Sequence, residues 1–131
     1  TTKKYKPRVT SLSSNLPLIT ALANDVGYSK IFSEQLRYNF LPGDILFVIS
    51  ASGNSPNIIE ALKFANKNQI STISFTGFNG GKAKKISNIN IHCKSFNYGI
   101  VEMMHHNYMN IVAQYLRQKV LSTSELKKTF F

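Results

Sequence analysis

The stretch Asp44–Leu62, DILFVISASGNSPNIIEAL, places a strand, a loop and a helix in immediate succession. Its first part, ILFVIS at residues 45–50, is apolar on both faces, which is typical of a strand inside a parallel sheet. Its last part, from about Pro56 to Asn66, brings apolar residues together at helical spacing. The joint between them, SASGNSPN at residues 50–57, is called the serine loop below. Ligands of α/β sheets bind at such strand-to-helix joints, so the serine loop is the first candidate site.

Two explanations account for the composition of the serine loop. Ser55 followed by Pro56 is a favoured helix start, with serine as the N-cap and proline at the first helical position. That explanation leaves Ser50, Ser52 and Gly53 without a role. A glycine lets the backbone approach a ligand closely, and the free amides and dipole of a helix N-terminus attract an anion. From the residues alone, capping and anion binding both remain open.

The remaining pattern predicts a doubly wound α/β domain with a parallel sheet between helices, three layers in all. Helices are expected over residues 16–25, over 28–40 with Ser29 as N-cap, and from Gly99 to about Lys119. Further strands are expected over residues 70–77 and 88–93, with a loop over 78–87 that holds a short helical turn and closes the chain after the second strand. The apolar stripe of the last helix consists of Val101, Met104, Tyr108, Ile111, Val112, Tyr115 and Leu116. Three strands make a thin sheet, and a doubly wound sheet without its first strand would produce this pattern.

Composition narrows the class of protein. The 131 residues, 43% of them hydrophobic, suffice for one domain, and we expect a single domain over residues 1–131. No apolar run reaches the roughly 18 residues needed to span a bilayer, and residues 1–10 lack the apolar stretch of a secretory signal. Cys93 is the only cysteine, which excludes an internal disulfide framework and a multi-cysteine metal site. A protein of the reducing cytoplasm, without a membrane partner, is therefore expected.

The net charge of +10 raises the possibility of nucleic-acid binding, because basic surfaces attract phosphates. The basic clusters are Lys3, Lys4, Lys6 and Arg8, then Lys82, Lys84 and Lys85. They are not interleaved with aromatic residues, and no nucleic-acid motif is present. A small phosphorylated ligand is favoured over a nucleic acid, with a secondary role for Lys82 near its phosphate left open.

Four segments together resemble the sugar isomerase (SIS) domain, and phosphoheptose (sedoheptulose 7-phosphate) isomerases in particular. In order they are LITALANDVGYSKIFSEQL, PGDILFVISASGNSPNIIEAL, ISFTGFNGGK and NYGIVE leading into the last helix, and they cover roughly residues 8–118. The resemblance implies a parallel α/β sandwich of flavodoxin-like topology that binds phosphosugars. It also implies homo-oligomers, dimers or tetramers, with active sites at subunit interfaces.

The resemblance assigns roles to individual residues. The serine loop holds the sugar phosphate, which implies Ser50, Ser52 and Ser55 as ligands together with Gly53 and Asn54. The segment around Asn24 and Asp25 is expected near the sugar, with Asp25 as a catalytic candidate. By itself, the pair Asn24–Asp25 reads as a turn that ends a helix.

Two departures from the family pattern bear on catalysis. The family begins with a helix, a strand and a second phosphate loop of the form GNGGS, followed by a catalytic glutamate, whereas this chain starts beyond them at TTKKYKPR. A fragment, a split member and a degenerate member are all open. The family also has an acid/base histidine on the last helix. When the family motif is aligned on His105, Asn110 stands at the position of that histidine; when it is aligned on His106, Ile111 stands there.

Aldose–ketose isomerisation needs a general base and an acid. The catalytic candidates in this chain are Glu102, His105 and Asp25, where Glu102 could orient a histidine three or four residues on. The sequence is equally consistent with a purely structural role for both His105 and His106. Zinc occurs in some relatives, but Glu102 with His105 alone makes a poor site, so no metal or other cofactor is expected. We expect isomerase activity in the intact protein and none in this chain alone; a non-catalytic module that senses a phosphosugar or assists assembly is the alternative.

Overall fold

The computed structural model describes residues 8–128, in which six α-helices and three β-strands follow one another. Their bounds are α1 Leu16–Asp25, α2 Ile31–Asn39, β1 Ile45–Ser50, α3 Pro56–Lys67, β2 Ser71–Thr76, α4 Gly81–Ile86, β3 Ile89–His92, α5 Tyr98–Lys119 and α6 Thr123–Leu126. A 3-10 turn, Tyr28–Lys30, precedes α2. The basic residues Lys3, Lys4 and Lys6 lie outside the described residues.

The order and type of the predicted elements are confirmed, and α3 ends one residue beyond the expected Asn66. The prediction of Ser29 as a helix cap is wrong, because Ser29 lies inside the 3-10 turn. Gly27 starts that turn instead: its φ of 96° reverses the chain after α1, and its carbonyl accepts from the amide of Lys30 at 3.0 Å.

The sheet is fully parallel, in the order β1-β2-β3, and has helices packed on both faces. Helices α3 and α4 pack on one face with α2 behind α3, while α5 packs on β2 from the opposite face. We call these the inner and outer faces. The three-layer prediction is confirmed, and the three-stranded sheet of residues 8–128 fits the expected doubly wound sheet without its first strand.

The hydrophobic core lies between the inner face and α3. Leu46 and Val48 of β1 pack there with apolar residues of α2 and α3 that recur at helical spacing. The buried members of this cluster are Leu36, Leu46, Val48, Ile59, Ala61, Leu62, Ala65, Ile70 and Ala83. Each large side chain buried here contributes about 1.5–3 kcal/mol to folding, so this layer holds the domain together.

Farther from β1, the inner face becomes polar but stays buried. Thr72, Ser74 and Thr76 of β2 are fully buried. They lie on the inner face because their partners in β1, which include Leu46 and Val48, lie on that face. The side chain of Asn90 on β3 donates to Ser74 Oγ at 2.8 Å and to Thr76 Oγ1 at 3.0 Å. Asn88 Oδ1 accepts from the backbone amide of Thr72 at 2.7 Å. This network satisfies the buried polar groups and fixes the register of β3.

The outer face is apolar yet largely uncovered. Phe75 is buried there, with its ring centroid 4.7 Å from that of Phe47 and 5.6 Å from that of Tyr108 on α5. The prediction that β1 is buried on both faces is wrong, because Ile45, Phe47 and Ile49 remain exposed on this side. The reason is the path of α5, which packs on β2 and leaves β1 open.

Within residues 8–128, every helix is too short or too polar to cross a membrane.

Candidate functional site

The serine loop lies at the carboxyl edge of the sheet, as the sequence predicts. Ser50 is the last residue of β1, and Pro56 is the first residue of α3. At this edge of a parallel sheet, each loop leads into the N-terminus of a helix, where ligands bind in α/β proteins. The loop therefore has the position of a ligand site.

Gly53 makes the tight turn of the serine loop. Its φ of 62° lies in the left-handed region, where side chains are strained. Its amide donates to the Ser50 carbonyl oxygen at 3.1 Å and to Ser50 Oγ at 3.2 Å. A Cβ at this position would overlap the carbonyl oxygen of Gly80. Glycine is thus required here both by conformation and by space.

A second loop, Gly77–Gly81, packs directly against the serine loop. The amide of Gly77 donates to the carbonyl oxygen of Ala51 at 2.8 Å, and a Cβ on Gly81 would overlap the carbonyl oxygen of Ser52. Sequence reasoning treated this segment only as a turn after β2. The adjacent glycines after a strand end were the available signal that it approaches another backbone closely.

The first three amides of α4 are bonded, that of Gly81 to Asn79 Oδ1 and the next two to the serine loop, so they are not available to a ligand. The amide of Lys82 donates to Asn54 Oδ1 at 3.0 Å, and the amide of Ala83 donates to the Gly53 carbonyl oxygen at 2.9 Å. Asn54 therefore acts as a brace between the two loops. The side chain of Lys82 is exposed, and its role near a phosphate stays a prediction.

The N-terminus of α3, in contrast, has no side-chain cap. Ser55 is at the N-cap position, but its hydroxyl accepts no bond from the helix; it lies 3.5 Å from Ser50 Oγ instead. Capping by the Ser55 side chain is thus wrong as an explanation. In the described part of the chain, the backbone amides of Ser52, Ser55 and Asn57 have no acceptor. Free amides at a helix N-terminus are the groups that bind anions.

The serine hydroxyls are arranged to donate outward. Ser52 Oγ accepts from the amide of Asn54 at 3.2 Å, which leaves the Ser52 hydroxyl proton for a ligand. Ser50 Oγ accepts from the amide of Gly53 and lies 3.5 Å from Ser55 Oγ, so at least one of the two hydroxyl protons of Ser50 and Ser55 also remains for a ligand. The first turn of α3 contains no acidic residue that would oppose an anion. The loop can thus supply uncharged donors and a helix dipole to a phosphate group.

Asn24 and Asp25 end α1 and are both exposed. The side-chain amide of Asn24 donates to Asp25 Oδ1 at 3.1 Å. Helix α1 packs on the 3-10 turn, which in turn packs on α3. Among residues 8–128, neither side chain has a hydrogen bond to the serine loop, so their assignment to the sugar site stays a prediction.

The two candidates on α5 are not joined. Glu102 is exposed, whereas His105 is only 2% exposed, with its ring centroid 5.9 Å from that of Phe75. Neither ring nitrogen of His105 has a hydrogen-bond partner. The expected hydrogen bond from His105 to the Glu102 carboxylate is therefore absent, because the helix turns the imidazole towards the sheet and the carboxylate towards solvent. His106, Asn110 and Ile111 are exposed.

Positive charge collects at the carboxyl end of β3. Burial, together with the nearby charges of Lys84 and Lys94, lowers the pKa of His92 from its ordinary value of 6.5. The Nδ1 atom of His92 lies 3.1 Å from Oγ1 of Thr76, the last residue of β2. Thr76 pairs in turn with Ser50 of β1, where the serine loop begins. This edge of the sheet favours negatively charged ligands.

A metal does not fit these residues. In the part of the chain that the structure describes, no three His, Cys, Asp or Glu side chains gather as a metal site would need. A zinc ion held by the pair considered from the sequence would need Glu102 and His105, but the His105 nitrogens face the interior and the Glu102 carboxylate faces solvent. No chemical step is therefore assigned to a metal.

The parallel sheet, the serine loop at its carboxyl edge and the uncapped helix place the chain among α/β domains with a candidate anion site. A family model described as the SIS domain matches residues 1–77, and the chain belongs to this family.

The more particular resemblance is to phosphoheptose isomerases. A protein of Thermoplasma acidophilum named "probable phosphoheptose isomerase" is 36% identical over 118 residues, which are 89% of this chain and 65% of that protein. The solved phosphoheptose isomerase of Francisella tularensis superposes with a TM-score of 0.78 at 30% identity, over 82% of this chain and 58% of its own. That of Neisseria gonorrhoeae gives a TM-score of 0.81 at 28% identity, over 83% of this chain and 61% of its own. The chain thus spans about three fifths of the length of these relatives.

Proposed function

We propose that this chain binds a phosphosugar in its serine loop and forms part of a phosphoheptose isomerase acting on sedoheptulose 7-phosphate. The observation that carries the proposal is the uncapped N-terminus of α3 beneath three serines. The similarity to phosphoheptose isomerases supports the sugar class.

In this proposal the phosphate lies above the first turn of α3. The hydroxyls of Ser50, Ser52 and Ser55 and the free amides of the loop donate to its oxygens, while Gly53 keeps the backbone close. Hydrogen bonds to a charged acceptor are stronger than neutral ones, which compensates for the absence of an arginine in the loop. Asn54 holds the loop in shape through its bond to the amide of Lys82.

Proton transfer is assigned to Glu102, His105 and Asp25. A base removes the proton from the carbon next to the carbonyl, an acid protonates the carbonyl oxygen, and the resulting enediol collapses to the isomeric sugar. Glu102 follows Val101, whose side chain contacts Gly77 beside the serine loop, so Glu102 begins near the carboxyl edge. Because His105 is buried, we expect the chain alone to bind phosphosugar without isomerising it.

A non-catalytic SIS module is the second candidate. The burial of both His105 nitrogens and the exposed Asn110 and Ile111 at the alternative histidine positions favour it. Such a module would sense a phosphosugar or assist the assembly of another protein.

We also propose that the protein is cytoplasmic. We further propose that it forms homo-oligomers through the C-terminal half of α5. Ile111, Val112, Tyr115 and Leu116 continue the stripe of Val101 but are exposed, and apolar stripes of this kind mark interfaces. Light scattering after size-exclusion chromatography should report a multiple of 14.7 kDa. Ile111→Glu should reduce the mass to that of a monomer, whereas Tyr38→Glu, at an exposed position of α2, should not.

Phosphate binding is tested by calorimetric titration of the chain with inorganic phosphate and with sedoheptulose 7-phosphate. Loss of one donor to a charged ligand costs about 1.5 kcal/mol, so Ser52→Ala should weaken both affinities roughly tenfold. Ser13→Ala is the matched control, since Ser13 is exposed in the turn before α1. Absence of binding, or equal effects of the two substitutions, would overturn the proposal.

Catalysis is tested in the full-length native protein with sedoheptulose 7-phosphate. Positioned acids and bases contribute about a hundredfold or more, so Glu102→Gln should reduce the turnover number by at least that factor while phosphate affinity stays unchanged. Glu60→Gln is the control, because Glu60 pairs with Lys63 on α3 and has no proposed role in catalysis. A phosphosugar that raises the melting temperature of the full-length protein without any turnover would instead establish the non-catalytic module.

A further inference from the structure

Three aromatic side chains form a cluster beside the serine loop that neither the phosphate site nor the hydrophobic core explains. Phe78 and Phe96 are stacked, with ring centroids 6.0 Å apart and planes 9° from parallel. Tyr98 meets Phe78 edge-on, with centroids 4.7 Å apart. We call Phe78, Phe96 and Tyr98 the aromatic platform.

The platform is open to solvent although its residues are apolar. Phe96 is 78% exposed and Tyr98 is 58% exposed, while Phe78 is half-buried between them and the loop. Aromatic rings that pack on each other yet leave their outer faces in water do not contribute their full burial energy to folding. Clustered exposed rings of this kind are typical of a surface that contacts a ligand.

The backbone holds the platform in a strained conformation. Phe78 has a φ of 49°, in the left-handed region that a bulky residue rarely adopts. Its amide donates to the Ser95 carbonyl oxygen at 2.9 Å, which ties the loop after β2 to the segment after β3. Strained backbone kept by its surroundings is concentrated at ligand sites.

The platform is continuous with the serine loop. Gly77, which precedes Phe78, bonds to Ala51 of the serine loop at 2.8 Å, and no Cβ would fit between Gly77 and Val101 of α5. The three strands are parallel neighbours, so the ends of β1 and β3 lie roughly 10 Å apart. The phosphate site and the platform therefore both lie at the carboxyl edge of the sheet.

We infer that the aromatic platform is a ring-recognition subsite for the sugar whose phosphate occupies the serine loop, with the apolar face of the closed sugar ring lying against Phe96 and Tyr98. The inference rests on the proposed function, because it needs the phosphate in the serine loop. A closed ring offers a flat face of C–H groups that matches an aromatic ring, whereas an open-chain sugar offers no such face. The platform thus favours the cyclic form of the phosphosugar.

The test compares three probes on the complete chain by calorimetry: inorganic phosphate, sedoheptulose 7-phosphate, and the heptitol phosphates made from it by borohydride reduction, which cannot close a ring. Stacking on an aromatic side chain is worth about 1–3 kcal/mol for a nucleobase, and a sugar ring is expected at the lower end. Phe96→Ala should therefore raise the Kd of sedoheptulose 7-phosphate about fivefold and leave the other two unchanged. Tyr38→Ala, which also removes an exposed ring but on α2, should change none of them.

The outcomes separate the inference from the proposed function. If phosphate and phosphosugar both fail to bind the unsubstituted chain, the proposed function fails and the inference with it. If both bind but Phe96→Ala and Tyr98→Ala leave the preference for the cyclic probe unchanged, only the ring subsite is overturned. Tighter binding of a nucleoside monophosphate than of the sugar phosphate, lost in Phe96→Ala, would likewise overturn the sugar assignment.

Discussion

The two faces of the sheet are composed and covered in opposite ways. The inner face carries threonine and serine on β2, which are fully buried, and Asn90 and His92 on β3, which are half-buried. The outer face is apolar from Ile45 on β1 to Ile89 on β3, yet both of these residues are more than half exposed. The face with the greater need to avoid water is therefore the one that this chain leaves open.

This contrast separates folding from assembly. Covered by α3 and α4, the inner face provides the core and a satisfied polar network, and it positions the serine loop at its edge. The outer face and the C-terminal half of α5 both carry exposed apolar residues, which are typical of surfaces that contact another chain segment or subunit. Four predictions test this difference.

The largest effect is expected from truncating neighbours on opposite faces of β1. Leu46 is 8% exposed and Ile45 is 60% exposed. Leu46→Ala should lower the free energy of unfolding by about 2–5 kcal/mol through lost burial and a cavity, whereas Ile45→Ala should cost less than about 1 kcal/mol. Urea unfolding at low protein concentration measures both. Equal losses would mean that the outer face is covered in solution, which would contradict the difference in burial between the two faces.

The second prediction concerns the polar network of the inner face. Asn90→Ala removes the donor to Ser74 Oγ and Thr76 Oγ1, which are both buried. A buried polar group without a partner costs about 1–3 kcal/mol, and a loss in this range is expected from thermal unfolding. Asn107→Ala, on the exposed side of α5, is the control and should be neutral. A neutral result for Asn90→Ala would indicate that water replaces the amide.

The third prediction has the opposite sign. His105 on the outer face buries two ring nitrogens without partners, so His105→Leu should stabilise the chain by about 1 kcal/mol or more. His106→Leu changes an exposed histidine and should have no measurable effect. A destabilised His105→Leu variant would contradict this prediction and would indicate that the imidazole has a polar partner in solution.

The smallest effect is expected from pH. The pKa of His92 is lowered in the folded chain, mainly by burial and also by Lys84 and Lys94. The unfolded chain therefore binds more protons between the lowered pKa and 6.5, so stability should rise with pH across that window and fall as pH drops below 6.5. His92→Asn should remove this part of the slope when the free energy of unfolding is measured from pH 5 to pH 8, a range chosen to bracket the ordinary histidine pKa of about 6.5. An unchanged slope would mean that titratable groups other than His92 cause the pH dependence of stability.

Much of the fold was predictable because its elements have clear periodicity. The apolar run at residues 45–50 and the helical spacing after Pro56 are local signals that packing reinforced. The start of α2 was not predictable, because Gly27 rather than Ser29 sets the turn there. The cover of β1 was also not predictable, since it depends on which strand α5 crosses.

The candidate site was predictable in composition but not in bonding. Serines and a glycine after a strand indicate an anion site. The absence of a Ser55 cap depends on a chain arrangement that brings Ser50 within 3.5 Å of it. The aromatic platform had no local signal, because Phe78 and Phe96 are 18 positions apart and meet only at the sheet edge.

The sequence by itself determined the strand–loop–helix order, the glycine at the turn and the uncharged donors of a candidate anion site, because these depend on neighbours along the chain. Only the tertiary structure decided that His105 is buried away from Glu102, that α4 braces the serine loop, and that the apolar outer face stays open. These features arise from distant segments meeting at one sheet. Local preferences set which elements form, whereas burial and hydrogen-bond partners are set by what each element packs against.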